Sequence, residues 1–76
     1  MKKSLEKDVS VMRKAIIQAL KARYQAQISE ADATLKIFLD HSVGIGEHPQ
    51  HLEEVDKLIK KISSAKGKLE TLKNFE

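Results

Sequence analysis

The chain contains no cysteine and no tryptophan. Without a thiol it can form neither a disulfide framework nor a thiolate metal site, and it has no cysteine nucleophile, so packing alone must hold the fold. Aromatics are scarce, with Tyr24, Phe38 and Phe75 the only ones. Proline occurs once and glycine three times, and neither falls between Ser4 and Val43. No uninterrupted apolar run is longer than a few residues, far below the ~18 needed to span a bilayer. Nor does a signal-peptide core follow the basic start Met1-Lys2-Lys3. The expectation is a soluble, cytoplasmic chain with no membrane partner. At 76 residues it should form a single domain, 1–76, and so short a chain buries a core worth only ~3–5 kcal/mol unless copies share one.

What the chain does have is lysine, glutamate, alanine, leucine and isoleucine, the composition of long helices. Apolar residues recur at Leu5, Val9, Met12, Ile16, Leu20, Tyr24, Ile28, Ala31, Leu35 and Phe38. The steps are all three or four residues, which follows one helix face and predicts a first helix over about 4–41. The run of fours in its first half departs from a heptad and should loosen any supercoil there. Gly44, Gly46 and Pro49 then punctuate a loop over 42–48, with Gly44 suited to a helix end and Pro49 to a helix start. Val43 and Ile45 are expected to tuck between the helix ends. In the second helix, about 49–74, Val55, Leu58, Ile62, Ala65, Leu69 and Leu72 alternate steps of three and four, a heptad seam widened by Leu52 and Ile59. Gly67 falls on its outer face. A short linker between long helices implies an antiparallel hairpin, so the fold class is all-α and coiled-coil-like. Counting outward from the loop sets Leu52 near Phe38, Ile62 near Ile28, and Leu72 near Ile16 or Ile17. The first helix then overhangs the second, leaving Leu5, Val9, Met12, Ile16 and Ile17 as candidate interaction residues. So much leftover apolar surface predicts a homo-oligomer, a dimer or higher, that completes a helical bundle.

Charge lies in blocks. Residues 1–23 carry a net +5, residues 24–56 a net −6 and residues 57–76 a net +4. Folded as a hairpin, the chain is basic at its open end and acidic at its loop end. Arg13, Lys14, Lys21, Arg23, Lys61 and Lys68 are candidate anion-binding residues, able to attract the phosphates of a nucleotide or nucleic acid. Against that reading, lysine far outnumbers arginine, no aromatic interleaves for base stacking, and solvated surface is the commoner role of such faces. Pairing with the acidic end of another copy would also use them.

His41, His48 and His51, with Asp40 and Glu47 nearby, are metal-ligand types. Their spacing around a proline and a glycine loop fits turn and cap residues better, so no metal and no cofactor is expected. Tyr24 sits on the apolar stripe between Arg23 and Gln27, its ring expected in the seam and its hydroxyl reaching outward. With no nucleophile elbow, no phosphate-cradling glycine loop and no α/β scaffold, no catalytic residue suggests itself and an enzyme is not expected.

The loop Val43-Gly44-Ile45-Gly46-Glu47-His48-Pro49 lies between Arg23-Tyr24-Gln25-Ala26-Gln27-Ile28 and Lys61-Ile62, Ala65 and Lys68-Leu69-Glu70. Together these resemble small uncharacterised helical-hairpin proteins of tailed bacteriophages over roughly residues 20–73. The resemblance implies a phage-type accessory protein in the cytoplasm of a bacterial host, and it carries no site residue with it. The leading expectation is a non-enzymatic, oligomeric interaction module that binds a host or phage protein. The alternative is an oligomeric anion-binding protein that sequesters a nucleotide signal or contacts nucleic acid through its basic open end.

Overall fold

The glycine- and proline-free stretch forms one continuous helix, α1, over Lys2–Asp40. A second helix, α2, spans Pro49–Leu72 and tightens into a 3₁₀ turn over Lys73–Phe75. Pro49 suits the first turn of α2, where a missing N–H leaves no bond unmade. The computed structural model describes the backbone of residues 2–41 and 49–76, and the side chains of 8–41 and 51–76. The loop motif 42–48, with Val43, Ile45 and His48, and the side chain of Leu5 therefore lie outside the described residues. Among the described residues only His41 and Glu76 fall outside a helix, and none is in a strand. The all-α hairpin is the architecture observed.

The helices lie antiparallel in a rod measuring 67 × 16 × 14 Å. Three contacts mark the register. Near the loop the rings of Phe38 and His51 meet edge to face, 5.8 Å between centroids. Farther along, the Lys68 ammonium lies 5.5 Å from the centre of the Tyr24 ring. At the open end Arg13 donates from Nη2 to the Phe75 carbonyl at 2.6 Å. With Phe75 opposite Arg13, the residues of α1 before Arg13 project past α2. At ~1.5 Å per residue that overhang is roughly three turns long.

Burial follows a heptad in both helices. On α2 the half-buried or buried positions are His51, Val55, Leu58, Ile62, Ala65, Leu69 and Leu72, alternating steps of four and three. On α1 the matching set is Ile17, Lys21, Tyr24, Ile28, Ala31, Leu35 and Phe38, with Leu20, Gln27 and Asp32 beside it. Two expectations are corrected here. His51, not Leu52, faces Phe38, and Leu52 is 62% exposed. The apolar stripe of α1 also does not stay on the seam. A step of four residues overshoots a full turn by ~40°, so four consecutive such steps carry Met12 ~160° away from Ile28. Ile17 therefore enters the seam, and Ile16 is left 58% exposed.

The seam is narrow. Only Ala31 and Ala65 are buried, each 1% exposed, and no large side chain is fully enclosed among the described residues. The accessible surface is 6335 Å². A compact monomer of 8.6 kDa would expose ~4,700 Å², so this rod shows ~1,600 Å² more.

Local pairs support the helices from outside the seam. Asp32 and Lys36 lie one turn apart at 2.9 Å, a spacing that favours the helix. The side-chain bond to Asp32, and then its charge, raise the Lys36 pKa above the ordinary lysine value. Gly67 sits on the open outer face, with nothing within 4 Å of where a Cβ would stand.

Candidate functional site

At the open end the off-seam stripe of α1 becomes one wall of a groove. Val9, Met12, Arg13, Ile16, Ile17 and Leu20 line it from α1, and Leu72 and Phe75 close it from α2, around a volume of about 450 Å³. Four of the five candidate interaction residues, Val9, Met12, Ile16 and Ile17, thus share one site. The side chain of the fifth, Leu5, lies outside the described residues. Val9 is 64% exposed and Met12 63%, so the apolar lining faces solvent. Among the described residues Val9, Met12 and Ile16 stay more than half exposed, with no apolar cover. The chemistry of the groove is that of a hydrophobic seat for another helix or loop.

Leu20, Leu72 and Phe75 belong to this groove and were not singled out from the sequence as site residues. The signal was present: Leu72 to Phe75 is one more three-residue step beyond Leu69 to Leu72, on the same stripe. What hides it is that Phe75 stands after the expected end of α2. The 3₁₀ turn sets Phe75 beside the open-end stretch of α1, where it lines the groove.

The six candidate anion-binding residues do not converge on one point. Arg13 is engaged by the Phe75 carbonyl, one of the orphan acceptors at a helix end that need an outside donor. Lys21 pairs with the Glu76 carboxylate, their side chains about one-third exposed. Arg13, Lys14 and Lys21 line one shallow groove together with Ile17, Gln18, Phe75 and Glu76. Lys68 lies over Tyr24 on another side of the rod, a contact worth ~0.5–1 kcal/mol at exposed sites. Arg23 and Lys61 are exposed. Two of the six thus clamp the end of α2 onto α1, and the remainder are spread along the rod.

The loop end carries a second exposed apolar set. Ile37 is 61% exposed, Leu39 56%, Leu52 62% and Ile59 48%. Asp40, Glu53, Glu54 and Asp56 are interleaved with it in sequence, as are Lys36, Lys57 and Lys60. Glu54 pairs with Lys57 at 3.3 Å, while Asp40, Glu53 and Asp56 carry no ion pair among the described residues. His41 is exposed and His51 half-buried against Phe38. Among the described residues no group of three or more histidine or acidic side chains is placed to hold a metal ion, and His48 lies outside them. No described helix is long and apolar enough to cross a membrane. No family model, no curated protein and no solved structure matches the chain.

Proposed function

We propose that the protein is a non-enzymatic helical interaction module that works by seating another protein chain in its open-end groove. The observation that carries this reading is that, among the described residues, only two alanines are buried, beside a solvent-facing groove lined by Val9, Met12, Ile16, Leu20 and Phe75. Side chains of this size are normally inside, and a contiguous exposed apolar patch marks an interface. The resemblance to phage hairpin proteins supports the cytoplasm of a bacterial host as the setting and a host or phage protein as the partner. The anion-binding alternative draws less support, because Lys21 pairs with the Glu76 carboxylate, Arg13 donates to the Phe75 carbonyl, and the six basic residues do not converge on one point.

A photo-crosslinking residue at Ile16, in protein produced in a bacterial cytoplasm, should give discrete protein adducts. The same residue at exposed Ala33 should give none, and Val9→Asp should remove those formed from position 16. Absence of protein adducts at position 16 would sink the reading. So would a rise in melting temperature with nucleotides, which at a hundredfold excess over Kd stabilise a true binder by ~2.7 kcal/mol.

A further inference from the structure

The groove's occupant can be argued from the molecule itself. The exposed large aliphatic side chains form two sets at opposite ends of a 67 Å rod. Met12 and Ile16 represent the set at the open end, where the sequence blocks carry +5 and +4, and Leu39 and Leu52 the set at the loop end, within residues 24–56, which carry −6. The two apolar sets therefore lie in stretches of opposite net charge. Two open ends brought together would bury the same kind of apolar surface but would also appose like charge, which disfavours that pairing. An open end against a loop end buries apolar surface between stretches of opposite net charge.

Area points the same way. A standard interface removes ~800 Å² from each partner, and the chain exposes ~1,600 Å² more than a compact monomer of its mass. That excess accommodates two such patches per copy, one at each end. We infer that the groove is filled by a second copy of this chain lying antiparallel, with the acidic loop-end patch around Leu39 and Leu52 seated on the basic open-end groove. This inference rests on the interaction reading above and names its partner. Charge selects the orientation, and apolar burial supplies most of the stability, since exposed pairs are each worth little.

The absence of cysteine makes the test direct. Copies carrying Met12→Cys and copies carrying Leu52→Cys are mixed in equal amounts at low salt and treated with a short bismaleimide. Both positions are more than half exposed, and unchanged helicity by circular dichroism checks the fold. The mixed adduct is expected to exceed either like-with-like adduct severalfold, and sedimentation should give at least a dimer at micromolar concentration. Predominance of the Met12→Cys pair with itself would overturn the orientation while leaving the interaction reading intact. A monomeric mass at all concentrations would overturn the second copy as occupant. The interaction reading itself would then be judged by the Ile16 crosslinks, which detect a different protein partner.

Discussion

Ala65→Leu is a signed test of how closely the two helices meet. Among the described residues Ala31 and Ala65 alone are buried, each 1% exposed, so the Ala65 methyl has protein on every side. Leucine adds three carbons. If the seam had room for them, burial would stabilise the fold by ~0.8 kcal/mol per methylene, ~2.4 kcal/mol in all. In a closed seam the same atoms force the helices apart or drive side chains off rotamer, at ~1–3 kcal/mol. The 1% exposure decides for the second outcome. For a chain of this size each kcal/mol lowers the melting temperature by ~4–8 °C, so a fall of ~4–24 °C is expected. Ala33→Leu makes the same chemical change at an exposed position of α1, where surface substitutions stay within ±0.5 kcal/mol. Thermal melts followed by circular dichroism at one fixed protein concentration compare the three proteins. An Ala65→Leu protein melting at or above both the parent and Ala33→Leu would refute the close seam.

Two further substitutions probe the same helix. Gly67→Ala should stabilise by ~0.5–1 kcal/mol, because the residue lies within α2 with open space at its Cβ position and alanine has the better helix propensity. A midpoint of chemical denaturation that stays put or falls would show that something crosses close to that backbone in the assembled protein. Ile62→Ala removes a half-buried side chain from the middle of the α2 seam and should cost ~2 kcal/mol, the low end of the core range since burial is partial. A parent-like melting temperature would remove Ile62 from the seam.

The helices and their antiparallel pairing were legible in the sequence because their signals are local. A long stretch without glycine or proline, then glycines and a proline close together, marks the α1 end and α2 start within a few residues of Asp40 and Pro49. The α2 seam was legible for a related reason. Its strict alternation of threes and fours keeps every step on one side of the helix, and burial reproduces it from Val55 to Leu72. On α1 the spacing alone was ambiguous. Ile16 and Ile17 are adjacent, both apolar, and either continues a helical stripe, so the partner helix had to choose between them. It takes Ile17 because that residue, not Ile16, lies a whole number of heptads before Ala31 and Phe38. The contacts of Arg13 with Phe75 and of Lys21 with Glu76 were not legible at all. They join residues far apart in the chain and depend on a 3₁₀ turn whose tightening leaves no distinctive spacing.

The displacement of the α1 stripe also bears on how the protein is stabilised. Had Ile16 and Leu20 followed the heptad, the hairpin would bury more of its larger aliphatics between its own helices. Instead the most buried of the described positions are alanines, and Lys21 occupies a seam position near the open end. Small residues let two backbones approach but remove little apolar surface from water. The larger side chains stand beside that seam and are largely exposed. On the proposed association, much of the hydrophobic free energy would lie between molecules, and folding would be linked to association through protein concentration. A uniform charge along the rod would oppose such association in every orientation. The segregation into a basic and an acidic end removes that penalty for an antiparallel neighbour and keeps it for a parallel one.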